Sequence, residues 1–488
     1  MLGLSNVVIF HLARVATSFF MFSAIYQLGA AVWTRLRPRR LFFSLTAVGS
    51  GLGWFVLVLD NDAIAPDLFV PEAFPLLAAY SNPHFPLAIG ILAVMAAQFI
   101  TVFRPGYKEA PTADNGGLLI LLLTVILTLV SPPGVLAMGG MLTVYTVVRA
   151  YRTRKLPWHE ARWGAMVILP AAPFALYYLA VFAFNDVLSG FNDQNITQSP
   201  NPILFIFGYG LLLLIAVPGL VRAVRRFEPD GDQMMLCWVV AGVISIYLPF
   251  ALQRRMFIGL IFPVVYFGVR ALEDYWVNQV PKRWQAPLLL LLFVFILPTH
   301  AFTFGAPLAL TVVNPEFGAD NFLNLNSDYI RAFDWLNANA EPGEVALAAR
   351  SPALWLPART SLRVVYGHPF ESVPAEERLN QMRAFYRGED CSTLVTGEGL
   401  PFQAHYILWG PAEEKTGEVT SDDLRDDRLD LSDIGLGDFN LEALDDEQLE
   451  DILDERRLPE ADNCRLALEE AGFPVERFGS VTLFRIRP

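Results

Sequence analysis

The chain has 488 residues, 54% of them hydrophobic and 13% aromatic, with three cysteines and a formal net charge of −13. The charge is unevenly placed: 20 of the 36 Lys and Arg but only 14 of the 49 Asp and Glu lie in residues 1–304, leaving +6 there and −19 in residues 305–488. The apolar first part excludes an ordinary soluble domain, and an acidic tail offers no basic surface to nucleic acid, so no nucleic-acid partner is expected.

Ten apolar stretches fill the first part: 7–33, 41–60, 85–103, 117–131, 133–149, 163–184, 202–221, 233–250, 256–272 and 286–304. At ~1.5 Å per residue, most are long enough to cross a hydrocarbon core of ~30 Å. The fourth and fifth are short. Joined through Ser131-Pro132-Pro133 they would make one helix of ~50 Å, too long for a single crossing, and the two prolines favour a hairpin.

With that hairpin, every second loop carries Lys and Arg: Arg35, Arg37, Arg39 and Arg40; Arg104 and Lys108; Arg149 to Arg162; Arg222, Arg225 and Arg226; Lys282 and Arg283. These loops are expected on the cytoplasmic side, while 61–84 and 186–201, which contain no Lys or Arg, face outward with the amino terminus and the tail. The first stretch lacks a basic n-region and is too long for a signal peptide, so it is expected to remain as an anchor. The fold class is thus an α-helical polytopic membrane protein with about ten transmembrane helices, localised to the cell membrane, with a C-terminal soluble α/β domain outside.

Residues 305–488 form the second domain. Patterning predicts a helix at 329–336, strands at 344–349 and 362–366, a helix at 375–386, a strand at 405–409, a helix at 461–470 and a strand at 481–486, an alternation that reads as a small α/β domain. Between 411 and 463 lies an acidic insertion with 20 Asp and Glu against 5 Lys and Arg. A calcium site at 422–438 is weighed and set aside, because the EF-hand loop with its glycine and terminal Glu is absent; a solvated segment with a helix at 441–457 is expected instead. Cys391 and Cys464 both lie on the expected oxidising side, which permits a disulfide, and Cys237 lies within an apolar stretch.

Arg254 and Arg255 stand out from the charge pattern. They fall in an outer loop, against the usual bias, and guanidinium groups suit forked recognition of phosphate oxygens. They read as binding a phosphate or pyrophosphate headgroup, or as anchors that snorkel to ordinary lipid phosphates or pair with an acid of the tail. Arg14 lies about two turns into the first stretch on the face of His11, where an ionisable group faces the bundle interior or snorkels to the surface. The outer loop 61–84 supplies Asp62, Asp67, Glu72 and His84, so a general base is available; Glu72 and His84 lie against apolar, stiff surroundings at Val70-Pro71 and Phe85-Pro86. The run Gly49-Ser50-Gly51-Leu52-Gly53 reads as close helix packing rather than a nucleotide loop, since no soluble strand precedes it. Asn195-Ile196-Thr197 matches a glycosylation triplet, a common pattern. No metal-ligand spacing is present, and neither a metal nor a cofactor is expected.

The run Pro249-Phe250-Ala251-Leu252-Gln253-Arg254-Arg255-Met256-Phe257-Ile258-Gly259-Leu260, followed by Pro263, resembles a stretch of the GT-C class of bacterial membrane glycosyltransferases, the mannosyltransferase-like and aminoarabinosyltransferase-like enzymes. So do Val70-Pro71-Glu72 with Asn82-Pro83-His84-Phe85, His11-Leu12-Ala13-Arg14, and Tyr366-Gly367-His368-Pro369-Phe370-Glu371. The resemblance implies transfer of a sugar from a polyprenyl-phosphate carrier at the outer face, with no nucleotide-sugar donor. It also implies an acidic base in the first outer loop behind an amino-terminal span. Only six residues precede Val7, so that loop has no counterpart here. Either the chain is an amino-terminally shortened relative, or Asp62, Asp67 or Glu72 has another role.

The expected function is a glycosyltransferase in which Arg254 and Arg255, with Gln253, His84 and Arg14, bind a polyprenyl-phosphate-linked sugar among membrane lipids, and Glu72, Asp62 or Asp67 serves as base. The alternatives are a non-catalytic protein that binds or helps assemble lipid-linked glycans, or a transporter, for which repeated halves with broken helices would be needed.

Overall fold

The computed structural model describes residues 5–60, 63–228, 231–314, 323–397, 403–417 and 462–486. They fall into two compact units, 8–306 and 307–488, with residues 5–7 grouping with the second. Asp62 lies outside the described residues, as do the 422–438 segment weighed for calcium and the helix expected at 441–457.

The first unit is helical. Among the described residues seven helices are long and apolar enough to cross a membrane: α1 (Asn6–Val32), the interrupted pair Leu36–Leu59, and later His84–Val102, Pro132–Thr153, Trp158–Phe184, Pro202–Arg226 and Gln253–Gln279. An eighth arises if Lys282–Ile296 and Pro298–Val313, bent by 46°, count as one, and two apolar helices, Gly117–Val130 and Asp232–Ile246, are shorter. All ten apolar stretches of the sequence fall on helices, but not as ten unbroken ones. The stretch 41–60 is divided into α2 (Leu36–Val48) and α3 (Gly53–Leu59), and a short helix, α4 (Pro66–Phe69), then leads into α5 (Pro75–Tyr80) and α6 (His84–Val102).

The proline break appears as expected. The helix α7 (Gly117–Val130) ends at Ser131, and α8 (Pro132–Thr153) restarts with proline in its first turn, where no N–H is needed. Next come α9 (Trp158–Phe184), α10 (Asp186–Gln194), α11 (Pro202–Arg226), α12 (Asp232–Ile246), α13 (Ile261–Ala271), α14 (Lys282–Ile296) and α15 (Pro298–Val313).

Burial separates the helices by role. Every residue from Met256 to Val269 is buried, so the segment that follows the arginine pair is the centre of the bundle, as a helix apolar all round should be. By contrast α1 exposes Val8, Ile9, Leu12, Val15 and Phe19, a face suited to lipid.

The glycine run at 49–53 is a true interruption rather than a packing face alone. Its freed N–H groups are all taken by other elements: Ser50 donates to Ile296 O at 3.1 Å, Leu52 to Phe207 O at 2.8 Å, and Gly51 and Gly53 to Asp67 Oδ2 at 2.9 and 3.1 Å. In a place without water each orphaned N–H would cost about 1–3 kcal/mol, so the break stands only because these acceptors surround it. Two other helices are interrupted alongside it. Gly210 in α11 has φ 43° and ψ −123°, and a Cβ there would lie 2.9 Å from Leu52 N, while Ile296, the acceptor for Ser50, ends α14 at the 46° bend.

The loops sort into two sets, as the charge pattern predicts. Arg37 forms a two-pronged ion pair with Glu273 at 2.7 and 2.8 Å and bonds Gln285; Arg222 pairs with Asp232 at 2.8 Å and Asp274 at 3.4 Å; Arg104 reaches Ala31 O. These join the loops rich in Lys and Arg. The segments 63–83, 195–201 and 247–257 meet one another separately, around the arginine pair.

The second unit carries a five-stranded sheet of order β2-β1-β3-β5-β4, built by β1 (Val345–Leu347), β2 (Arg363–Val364), β3 (Tyr406–Trp409), β4 (Pro474–Phe478) and β5 (Val481–Arg485). Strands β1, β2 and β3 are parallel, and β5 and β4 are antiparallel. Helices α16 (Ser327–Asn339), α17 (Arg350–Arg359), α18 (Ala375–Tyr386), α19 (Thr393–Thr396), α20 (Pro411–Thr416) and α21 (Asn463–Glu470) accompany them. Buried Glu413, on α20, accepts from Tyr329 Oη, from Gly410 N at 3.0 Å and from Ala349 N at 2.9 Å, tying α16 and the ends of β1 and β3 together. Cys391 and Cys464 are joined, with Cα atoms 5.0 Å apart across 73 residues of sequence; Cys237 is free and buried.

Candidate functional site

The arginine pair is held by its backbone. After α12 the chain turns and re-enters through a short 3-10 turn, Gln253–Phe257, which the 195–201 segment straps down. Thr197 N donates to Ala251 O at 2.7 Å and Arg254 N to Thr197 O at 3.0 Å; Ser199 Oγ donates to Ile246 O at 2.7 Å. Gln253, expected to touch a ligand, is engaged in this scaffold: its Oε1 accepts from Ser199 N at 3.2 Å and its Nε2 donates to Leu248 O at 2.7 Å. The glycosylation triplet is enclosed too, with Asn195 and Thr197 only 5% and 4% exposed.

The strap leaves the two guanidinium groups to face the 63–83 segment. Arg254 lies over the Phe69 ring at 5.3 Å, a contact that orients the cation without consuming its donors. Glu72, three residues on, is 7% exposed, and burial pushes its carboxyl above the ordinary range while the charges of Arg255 and Arg254 pull it back. The Arg255 charge also reaches His84, the first residue of α6. Both arginines are half-buried, and neither guanidinium has a hydrogen-bond or ion-pair partner among the described residues. The arrangement offers up to ten N–H donors' worth of anion recognition around one dry carboxylate, roughly five donors per arginine.

Other candidates take different places. Arg14 donates to Tyr80 O at 2.7 Å and lies over the Tyr80 ring at 5.8 Å, so it joins the far end of the same 63–83 segment, while His11 is exposed. Asp67, expected among the possible bases, is fully enclosed and turned to the break at Gly51 and Gly53 instead. An acceptor hydroxyl has no open face there to approach. Sequence reading missed Phe69 and the Thr197–Ser199 strap. The only signal was that both lie in loops free of Lys and Arg, since backbone pairing between distant loops leaves no trace in residue type. Among the described residues no group of three or more His, Cys, Asp or Glu is placed to hold a metal ion.

The chain is similar to an archaeal oligosaccharyltransferase. Three solved structures from Archaeoglobus fulgidus match it. The enzyme tethered to an acceptor peptide containing the NVT sequon has 10% identity and a TM-score of 0.45, over 82% of this chain and 57% of that one. Its complex with Zn and sulfate has 12% identity and a TM-score of 0.45, over 81% and 55%. The oligosaccharyltransferase AglB with an inhibitory peptide and a dolichol-phosphate has 13% identity and a TM-score of 0.37, over 81% and 58%. The chain therefore spans a little over half the length of these neighbours. No family model matches the chain, and no curated protein matches it.

Proposed function

We propose that the chain is a GT-C-like membrane glycosyltransferase that binds a polyprenyl-phosphate-linked sugar at Arg254 and Arg255 and transfers the sugar with Glu72 as base. The observation that supports this reading is the pair of half-buried guanidiniums with no hydrogen-bond or ion-pair partner among the described residues, whose charges reach the buried Glu72 carboxylate. A structural arginine in a dry place is normally paired, because an uncompensated buried charge is costly. With two guanidiniums and one carboxylate the cluster keeps a net positive charge, and a lipid phosphate at the membrane surface would meet its forked donors.

In this reading the guanidiniums hold the phosphate oxygens. Glu72 takes the proton from an acceptor hydroxyl as its oxygen attacks the anomeric carbon. The bond from that carbon to the phosphate oxygen breaks, and the lipid phosphate leaves with the electron pair, its charge met by Arg254 and Arg255. The site end of the bundle is the outer one, ten crossings are made, and the second unit lies outside. The loop charges and the Cys391–Cys464 bridge, which belongs to an oxidising compartment, support this orientation.

The test is binding of a polyprenyl phosphate by the double variant Arg254→Gln, Arg255→Gln. Loss of at least about tenfold in affinity is expected, with Lys at both positions restoring part of it, since Lys keeps charge without the fork. Unchanged binding would return the pair to an anchoring role. A second reading, a protein that binds lipid-linked glycans without chemistry, is favoured by the deep burial of Glu72. Glu72→Gln separates the two: it abolishes sugar transfer under the first, whereas under the second there is no transfer to lose and only lipid-phosphate binding responds.

A further inference from the structure

Both parts of the proposed site depend on where the segment from Pro66 to Phe74 stands. We infer that Asp67 is the positioning residue of this site: its carboxylate fastens the outer segment to the interruption between α2 and α3 and so sets the places of Phe69 and Glu72. The inference rests on the reading of that cluster as a donor site.

The fastening is specific. Of the four N–H groups freed at Ser50 to Gly53, two converge on one oxygen, Asp67 Oδ2, at 2.9 and 3.1 Å. The space is cut to fit: a Cβ on Gly53 would come 2.3 Å from Asp67 Oδ1, and one on Gly208 would come 2.7 Å from Pro66 Cδ. Asp67 is 0% exposed, so no water can replace it as acceptor without the segment moving. Two residues on, Phe69 lies under Arg254; five on stands Glu72; and Val70, Ala73 and Phe74, all 0% exposed, leave the intervening chain no slack.

What the place demands is an acceptor oxygen rather than a charge. Asp67 has no ion-pair partner among the described residues, and burial pushes its carboxyl up to about 6, with Thr299 and the Gly53 and Gly51 N–H groups opposing the rise. Asparagine presents the same oxygen without the charge, and its amide can turn toward Thr299. Alanine presents nothing, and alanine at Gly53 pushes the carboxylate away from the other side.

The experiment uses the full chain in lipid nanodiscs with geranylgeranyl phosphate as probe, and follows affinity and backbone hydrogen exchange in residues 50–53 and 66–74. Asp67→Asn should bind within about threefold of the unaltered protein, whereas Asp67→Ala and Gly53→Ala should lose more than about tenfold and lose exchange protection in both segments. Gly139→Ala, where a Cβ would meet only Ile168 at 3.8 Å, should change neither reading. Native affinity and protection in Asp67→Ala would overturn the inference, and so would an Asp67→Asn variant as damaged as alanine, because the charge would then be what matters. If Asp67→Ala fails to fold, Asp67→Asn and Gly53→Ala still decide. If the unaltered protein does not bind the probe, the donor-site reading falls, and the exchange data alone judge whether Asp67 holds the segment.

Discussion

Both ends of the helical unit gather arginines, and they treat them in opposite ways. At one end Arg222, its side chain 10% exposed, is matched by Asp232, Glu228 and Asp274, while Arg270 lies 3.7 Å from Asp232 and bonds Tyr266. At the other, Arg254 and Arg255 are fixed by backbone and by an aromatic ring, reach Glu72 through charge, and have no hydrogen-bond partner for their side-chain donors among the described residues. A charge answered by close ion pairs stabilises or orders the fold; a charge without them keeps its donors open to a ligand, which is the role proposed for Arg254 and Arg255. Burial alone does not tell the two apart, whereas partner bookkeeping does.

The strongest way to break this comparison is to remove an answered charge. Arg222→Ala strips Asp232, 1% exposed, of its closest cation, and a loss of about 3–5 kcal/mol is expected in unfolding of the purified protein. A value near zero would mean that the pairing carries no weight.

Glu413 extends the comparison to a carboxylate answered by donors but by no cation. Burial pushes it up to about 7 against the hydrogen bonds from Tyr329, Ala349 and Gly410. Because the folded value lies above the unfolded one, the contribution is complete below about pH 4.5 and fades as pH rises through 7, for a total of about 1–3 kcal/mol. Exchange protection of the β1 and β3 amides at pH 5 and pH 8 should show the decline, and Glu413→Gln should abolish it.

Removing the unanswered charges should leave stability nearly untouched. The Arg254→Gln, Arg255→Gln variant is expected to unfold within about 1 kcal/mol of the parent while losing lipid-phosphate binding. The smallest effect concerns Glu72. Its carboxylate is the nearest rival of a bound phosphate for the two arginines, so Glu72→Gln should tighten phosphate binding by about two- to threefold, read by titration calorimetry. Weaker binding in that variant would show that the carboxylate helps to hold the donor.

Hydropathy located the membrane-length helices among the described residues because each buries or exposes a continuous apolar surface, and loop charge grouped the loops because those rich in Lys and Arg meet one another through ion pairs at one end of the bundle. The break at 49–53 stayed hidden for the opposite reason: its acceptors, Asp67, Phe207 and Ile296, come from distant elements, so the glycines alone read as packing. Asp67 looked like Glu72 in sequence, two acids in one loop, and only tertiary contacts divide the carboxylate beside the arginine pair from the one that accepts from Gly51 and Gly53. In the second unit 375–386 was legible to the residue, while β4 and α17 were not. β4 pairs only with its neighbour β5 at the sheet edge, and α17 carries Pro357 inside the helix.

The strand order of the second unit has a consequence of its own. Strands β2 and β3 flank β1 on opposite sides, so the strand order reverses between the parallel β1 and β3, and in doubly wound sheets the crevice beyond the carboxyl ends of two such strands is where nucleotides and other anions usually lodge. Here that crevice is already filled. The Glu413 carboxylate takes the N–H groups of Ala349 and Gly410, which open α17 and α20, and so stands where a phosphate would otherwise sit. The unit thus carries a resident anion in its own cradle, with the N–H groups that open α17 and α20 already taken by its own carboxylate.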